Sequence, residues 1–340
     1  MMKKVNKLIA SLISLTLISG CTSSNNGLDE EGRKEDVLAV VDVSTAAVNA
    51  DLVVRKDMPD AVVEEVLSCI LDDTSIFGSV SSFVSVSQAS TIKGVPYHNG
   101  AKNDYLNHST TVESAEAPVE GESADSIIIA TGNSGGMYYA LGLAMEEVIE
   151  AKTGISVEVV STSGSQSNLE MIDNGEADFG FVQADVMHYA YKGERLYENR
   201  PLNSFVSVAA LYPEAVQIVT LNPDIQTLSD LRGKKVSIGE AGSGVYYNAL
   251  DVLTASGMSE EDIYPVYESF STEVDSLYDG IIDAAFITAG YPTKAVTELS
   301  GMDQVYLVAI GEKEMAILQA SSEYYESIVI PAGTYETDGE

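Results

Sequence analysis

Residues 130 to 139 read Ala130-Thr-Gly-Asn-Ser-Gly-Gly-Met-Tyr-Tyr139, and this stretch is the strongest single indication of the fold. The apolar residues 127–129 precede it, and a helical pattern at 140–148 follows it. This order predicts a buried strand, a glycine-rich turn and a helix. Residues 132–136 also fit G-x-S-x-G, the elbow that exposes a catalytic serine. The stretch therefore raises two possibilities, a nucleophile at Ser134 or a loop whose backbone holds a ligand.

Strand and helix patterns alternate throughout residues 126–340. Apolar strands are predicted at 127–129, 156–160, 179–182, 236–238, 284–287 and 304–309, with amphipathic helices between them. Such alternation predicts an α/β fold in which parallel sheets are flanked by helices, the doubly wound architecture. Ligands bind to such folds beyond the carboxyl ends of the strands.

Four loops rich in glycine and hydroxyl groups follow predicted strands, at 131–136, 161–166, 239–244 and 288–292. Glycine lets the backbone approach a ligand closely, and a helix N-terminus presents amides with a partial positive charge. The loops are therefore suited to a small carboxylate, although each glycine taken alone also fits a tight turn. Because these loops contain no arginine, we expect no bidentate ion pair with the solute.

A serine hydrolase with Ser134 as nucleophile is the alternative function. This chemistry needs a base and an orienting acid within hydrogen-bonding reach of the serine. The chain contains only His98, His108 and His188, and chain order favours His188 as the base. Its predicted position on a helix disfavours hydrolysis. We predict no cofactor and no metal, since the sequence contains neither a phosphate-binding P-loop nor a metal-ligand motif.

The start of the chain differs from everything after it. Three lysines precede an apolar run at 8–18, which is too short to span a bilayer comfortably. The following Ile-Ser-Gly-Cys resembles a bacterial lipobox, so residues 1–20 are expected to be a lipoprotein signal peptide and Cys21 the lipid-bearing residue. Residues 21–35 are polar and would tether the folded protein to the membrane on the extracytoplasmic side. An ordinary cleaved signal with an incidental cysteine is the alternative.

The acidic composition limits the partners. A formal charge of −34 disfavours nucleic acid and anionic membrane surfaces, because the carboxylates would repel phosphate groups. The apolar fraction of 45% is nevertheless typical of a globular protein with a core. Cys69 is the only other cysteine, and its helical spacing with apolar residues predicts a buried thiol without a disulfide.

A polar, acidic segment at 109–125 separates two structured blocks, and we interpret it as a linker. The block at 36–108 contains β-type runs at 37–43 and 50–54, and a helix opened by Pro59. So few elements would form only a weak core on their own.

The chain resembles the solute receptors of TAXI-type TRAP transporters. The motifs that carry the resemblance occur in the family's order at 132–139, 162–168, 177–183, 211–214, 230–244, 280–286, 290–292 and 330–335. The resemblance implies a fold like the type II periplasmic binding proteins, with two doubly wound α/β lobes joined by a hinge. It also implies capture of a small organic anion, such as glutamate, another amino acid or a dicarboxylate, for delivery to the TRAP membrane subunits. It implies no enzymatic activity.

The order of one part departs from the family. The family's closing β segment, helix and Pro-x-His-x-Gly-Ala motif stand at the front of this chain, with the motif at 95–101. We therefore expect a circular permutant in which residues 36–108 supply hinge strands and lobe 1 helices. Residues 126–210 would complete lobe 1, and residues 211–340 would form the hinge and lobe 2. A separate accessory domain at 36–108 is the alternative.

The expected ligand contacts come from both lobes and the hinge. They are Asn133, Ser134, Gly136, Tyr138, Ser163, Gln183, Tyr212, Ser243, Thr288 and Gly290. Backbone amides at 136 and 244 would receive carboxylate oxygens, and the two tyrosines would stack on the solute or donate hydroxyls to it. We expect His98 to stabilise the closing motif of the family and not to contact the ligand.

Overall fold

The computed structural model describes residues 42–108 and 124–335. Its strands are β1 Val43–Arg55, β2 Ser126–Ala130, β3 Ser156–Val160, β4 Phe179–Gln183, β5 Phe205–Thr220, β6 Lys235–Ser237, β7 Tyr264–Val266, β8 Ala284–Ala289, β9 Tyr306–Leu307 and β10 Glu326–Ile330. Its α-helices are α1 Asp60–Leu71, α2 Val86–Ala89, α3 Asn99–His108, α4 Met137–Thr153, α5 Ser165–Asn174, α6 Ala184–Lys192, α7 Gly244–Ala255, α8 Phe270–Tyr278, α9 Lys294–Ser300 and α10 Glu312–Ser321. Within these residues, no helix combines the length and the apolar character that crossing a membrane requires.

Lobe 1 is built on a parallel sheet with the order β3-β2-β4, whose strands are connected through α4 and α5. Both faces of this sheet are covered, which explains why all five residues of β4 are buried. Ile127 and Phe181 pack in one core cluster with α4, while Val182 packs on the opposite face with α5 and α6. α4 ends at Gly154, whose φ of +77° is the left-handed conformation that favours glycine at a helix C-terminus.

Lobe 2 repeats this arrangement. β6 lies between β7 and β8 in parallel pairing, and α7 and α8 connect the three strands. In both lobes the first strand therefore lies between the two strands that follow it. The apolar side chains of these strands and helices form one core cluster that includes Val236, Val252 and Phe286.

Two long antiparallel strands, β1 and β5, join the lobes. They pair with each other from Ala47 and Ala215 to Arg55 and Phe205, with register shifts after Ala50 and after Leu52. The second half of β1 pairs with β4 of lobe 1, while its first half pairs with β10. β5 continues into lobe 2, where it pairs with β8 and β9. The predicted α/β class, with two doubly wound lobes joined by a hinge, is confirmed.

The front block is integrated into lobe 1. α1 and α3 pack against each other, and Val66 and Ile70 of α1 share a buried cluster with Leu141 of α4. The backbone near His98 pairs with β5, since the His98 amide donates to the Ser207 carbonyl at 2.9 Å. Cys69 is free and buried in this cluster, as predicted.

Two predicted strands differ from the structure. Residues 37–41 of the β-type run predicted at 37–43 lie outside the described residues, and the strand predicted at 50–54 begins earlier, because β1 continues unbroken from Val43 to Arg55. The strand predicted at 304–309 is limited to β9, because its ladder partners are only Val219 and Thr220 at the end of β5. The predicted signal peptide (1–20), Cys21, the tether (21–35) and residues 109–123 of the linker lie outside the described residues.

The two ends of the fold meet at the hinge. Val43 at the start of β1 pairs with Ile330 at the end of β10, and the Ala332 amide donates to Asp42 Oδ1 at 3.0 Å. We propose on this basis that residues 42–108 and 124–335 are the exchanged halves of a circularly permuted receptor. Joining position 335 to position 42 would then restore a continuous hinge.

A rearranged chain tests this proposal. We expect residues 124–335, a short Gly/Ser linker and residues 42–108, in that order, to unfold in one transition close to the midpoint of the unrearranged chain. Moving a loop changes only the closure entropy, about 0.6 kcal/mol for each doubling of loop length. Urea unfolding followed by circular dichroism measures the result. A rearranged chain that fails to fold, or that unfolds in two steps, would contradict the permutation.

Candidate functional site

A cavity of about 40 Å³, here called the cleft cavity, lies between the lobes at the carboxyl ends of their parallel strands. An enclosed water needs about 10–15 Å³, so the cavity has room for only a few solvent-sized groups. Its wall is formed by Gly132, Asn133, Gly136, Met137, Tyr138, Ser163, Gly164, Ser165, Gln183, Glu214, Ser243, Gly244, Val245, Phe270, Thr288 and Ala289.

Helix N-termini converge on the cleft cavity from both lobes. α4 and α5 follow the glycine N-caps Gly136 and Gly164, which offer no side-chain acceptor to the first-turn amides. α7 begins after Ser243, whose hydroxyl accepts a hydrogen bond from the Tyr246 amide at 3.3 Å. Because a helix N-terminus carries a partial positive charge, these ends together favour an anionic group in the cavity.

The two lobes touch at residues 239–244. The Gly242 carbonyl accepts hydrogen bonds from the Gln166 and Ser167 amides, at 3.0 and 3.2 Å. A β-carbon added to Gly244 would lie 2.1 Å from Gln183 Oε1, which is closer than any side chain tolerates. Glycine at position 244 therefore lets lobe 2 approach lobe 1 closely enough to enclose the cavity.

Glu214 is a charged residue of the cavity wall that was not among the contacts predicted from the sequence. Its side chain reaches the cleft cavity from β5, and only 2% of the residue is exposed. The Tyr138 hydroxyl donates to Glu214 Oε2 at 2.8 Å, and the Tyr212 hydroxyl lies 3.5 Å from Oε1. Burial raises the pKa of Glu214 to about 8, although hydrogen bonds from Tyr138 and Gln183 oppose the rise. At neutral pH the carboxyl is therefore mostly protonated.

Two further polar atoms in the wall lack partners. Gln183 Oε1 and Thr288 Oγ1 are buried, and neither has a hydrogen-bond partner among the described residues. The Gln183 side chain already bonds to Glu214, so its free oxygen is an acceptor available to a ligand. Buried polar groups without partners are costly, and a bound solute with N–H donors would satisfy them.

Seven of the ten predicted contacts line the cleft cavity: Asn133, Gly136, Tyr138, Ser163, Gln183, Ser243 and Thr288. The other three do not line it. Ser134 is exposed, Tyr212 is fully buried beside Glu214, and the Gly290 carbonyl accepts a hydrogen bond from Thr293. Glu214 is the only charged residue in the strand 205–220, and this was the signal for it. Its role depends on tyrosines that only the fold brings to it.

The arrangement does not support nucleophilic chemistry at Ser134. His98 Nε2 bonds to the Met58 carbonyl at 3.0 Å, and His188 Nδ1 bonds to the Tyr324 hydroxyl at 2.9 Å. No hydrogen bond joins Ser134 to a histidine in the part of the chain that the structure describes. His98 also accepts from the Gly100 amide, which agrees with a structural role in the segment 95–101. The described residues contain no group of three His, Cys, Asp or Glu residues placed to hold a metal ion.

The raised pKa of Glu214 predicts a pH dependence of stability. The folded protein keeps this proton up to about pH 8, whereas the unfolded chain releases it near its ordinary value of 4.5. Between these values the folded state binds more protons, so the free energy of unfolding falls as pH rises, by about 1.4 kcal/mol per pH unit for one such group.

We expect Glu214→Gln to flatten this slope between pH 5 and 8 in urea unfolding experiments. The exposed Glu147→Gln variant serves as control and should keep the wild-type slope. Asp51 and Asp185, whose pKa values burial also raises, remain in both variants and contribute in the same direction. Equal slopes in Glu214→Gln and the wild type would show that folding does not raise the pKa of Glu214.

Solved structures of binding proteins show similarity to this chain. The alkanesulfonate-binding protein SsuA from Xanthomonas axonopodis pv. citri, bound to MOPS, is 19% identical, with a TM-score of 0.40, over 56% of this chain and 62% of that one. The periplasmic aliphatic sulphonate binding protein SsuA from Escherichia coli is 19% identical, with a TM-score of 0.38, over 63% and 67% of the two chains. The amino acid ABC transporter substrate-binding protein AbpA from Streptococcus pneumoniae, bound to L-arginine, is 14% identical, with a TM-score of 0.36, over 54% and 75%.

The chain thus spans less than two thirds of the Xanthomonas protein that it matches. The sequence itself matches a family model over residues 129–340, which include the loops around the cleft cavity from both lobes. That model describes the NMT1-like family, and this chain belongs to it.

Proposed function

We propose that the protein is an extracytoplasmic solute receptor that encloses an α-amino acid between its lobes and delivers it to a membrane permease. One observation carries the proposal: helix N-termini of both lobes and the buried carboxyl of Glu214 face the same cavity. No Lys, Arg or His contributes to the described wall of that cavity. We therefore assign the hydroxyl, amide and carboxyl groups of this wall to binding.

The cavity matches the two charges of an amino acid. The α-carboxylate would lie at the N-termini of α4 and α7, close to Gly136 and Ser243. The ammonium group would donate to Gln183 Oε1 and to Glu214, which releases its proton when a cation is beside it. A dicarboxylate has no donor for Gln183 Oε1, so the amino acid is the favoured solute class.

Eight side chains or amides are proposed as solute contacts, those of Asn133, Gly136, Tyr138, Ser163, Gln183, Glu214, Ser243 and Thr288. They come from both lobes, so the solute stabilises the closed state by its higher affinity for that state. The permease would recognise the closed shape. Gly244 permits the close approach of the lobes, and a side chain at this position would oppose closure.

Paired titrations test the solute class. An L-amino acid identified in a thermal-shift screen and its 2-oxo acid, which lacks the ammonium group, are titrated by calorimetry into the wild type and Glu214→Gln. We expect the variant to lose at least about tenfold affinity for the amino acid, since a buried ammonium loses its charged partner. Affinity for the 2-oxo acid should change by less than about threefold, because glutamine can donate as the protonated glutamate does.

Equal losses for both ligands would contradict the assignment of the ammonium to Glu214. Gly244→Ala should bind neither ligand well, whereas Gly301→Ala, whose β-carbon would lie 3.4 Å or more from its neighbours and away from the cavity, should bind as the wild type does. Labelling of Ser134 by a fluorophosphonate would contradict the binding function and favour the hydrolase.

We further propose that the permease is of the TRAP type, that the receptor is of the TAXI type, and that lipid on Cys21 anchors it to the membrane. The order of motifs across 132–335 and the Ile-Ser-Gly-Cys sequence before position 22 support this assignment. Incorporation of labelled fatty acid should disappear in Cys21→Ser. Solute uptake should stop when the ion gradient is collapsed, and uptake that instead requires ATP would contradict the TRAP assignment.

A further inference from the structure

A second and larger cavity, here called the hinge cavity, lies beside the crossing strands and has a volume of about 260 Å³. Neighbouring residues line different cavities: Pro213 and Ala184 line the hinge cavity, while Glu214 and Gln183 line the cleft cavity. Because successive strand residues point to opposite faces, the two cavities lie on opposite sides of β5. The hinge cavity is therefore distinct from the proposed amino acid site.

Both lobes contribute walls to the hinge cavity. Residues 47–51 of β1 contribute four lining residues, and a segment at 88–93 lines it from the side of lobe 1. The opposite wall is formed by residues 323–326, where the chain enters β10. A ligand in this cavity would contact elements that move relative to each other when the lobes open and close.

Asp51 is the reason to assign a ligand to this cavity. The residue is only 1% exposed and belongs to the cavity lining, yet its Oδ1 has no hydrogen-bond partner among the described residues. Burial, and after it the charges of Glu214 and Asp185, raise the pKa of Asp51 well above its ordinary value. A cation beside Asp51 would relieve both the missing bond and the repulsion among these acids.

The remaining charged groups of the wall also favour a cation. Glu326 is exposed at the mouth and forms no ion pair with a described residue. Glu323 lies 3.8 Å from Lys93, and both side chains are about two-thirds exposed, so this pair contributes little. Asp51 at depth and Glu326 at the mouth are thus two separate carboxyl groups along one cavity, and a cation beside Asp51 would favour its ionised form.

The chemistry of the ligand follows from this separation. Within 42–108 and 124–335, no three acidic, histidine or cysteine side chains are grouped closely enough to hold a metal ion. A ligand that carries N–H donors at both ends can bond to both carboxyl groups without a metal ion. We propose that the hinge cavity is a second binding site, which takes a small linear diamine with one ammonium at Asp51 and the other at Glu326.

Calorimetric titration with 1,4-diaminobutane at constant ionic strength tests the proposal on the full chain. We expect saturable binding with one ligand per protein, and a loss of at least about tenfold in affinity for Asp51→Asn. Glu147→Gln, which removes an exposed charge far from this lining, should bind as the wild type does. No saturable binding up to 10 mM diamine, or equal binding by wild type and Asp51→Asn, would overturn the proposal.

A second variant keeps the test independent of any folding defect in Asp51→Asn. Glu326→Gln alters an exposed side chain, so we expect it to fold normally and to weaken diaminobutane binding. n-Butylamine has only one ammonium, so its affinity for Glu326→Gln should stay within about twofold of the wild-type value. If Glu326→Gln weakens both amines equally, or neither, the assignment of the second ammonium to Glu326 is wrong.

Discussion

The register between β1 and β5 is the constraint on which both cavities depend. A shift of one residue along either strand would turn every side chain to the opposite face of the sheet. In the observed register, β5 presents Glu214 to the cleft cavity, and β1 presents Asp51 to the hinge cavity. The register shifts after Ala50, which pairs with Tyr212, because the next residue of β1 pairs with Ala210. This shift lies between Glu214 on β5 and the β5 residue that pairs with Asp51. The same strand pair that connects the lobes therefore also determines which acid faces which cavity.

The proposed site must attract an anionic group in a protein with a formal charge of −34, and the wall of the cleft cavity provides a means to do so. The positive potential comes from helix N-termini, which are backbone features and do not depend on lysine or arginine. Glycine N-caps at positions 136 and 164 add no side-chain oxygen that would compete for these amides. The one carboxyl in the wall, Glu214, is largely neutral because burial favours its proton. An anion therefore meets oriented dipoles and no fixed negative charge.

The parts of this structure that follow local rules could be predicted from the sequence. The strand at 156–160 has the predicted bounds, and the loops at 131–136 and 239–244 lie at strand ends, because apolar runs and glycines determine these features locally. Glu214 and Asp51 escaped prediction for a common reason. The role of a buried carboxyl depends on the groups around it, and the sequence alone does not show which groups those are. Tyr138 and Tyr212 reach Glu214 from two different elements. The hinge cavity was equally hidden, since Asp51 and Glu326, to which the ligand is assigned, are more than two hundred positions apart in the chain.

Asp51, Asp185 and Glu214 form a group of buried acids that links the two cavities. Glu214 and Asp185 each raise the pKa of Asp51, and Asp185 raises the pKa of Glu214. Burial raises the pKa of Asp185 to about 7, and the charge of Asp251 in lobe 2 adds to this rise. Ionising any one of these acids makes it harder to ionise the others, so their protons leave as a coupled set. In the proposed sites, an ammonium group at Glu214 and one at Asp51 would each favour ionisation of the acid beside it. Coupling between two binding sites is reciprocal, so any change that the ligand of one cavity makes in the affinity of the other would be matched by an equal change in the reverse direction.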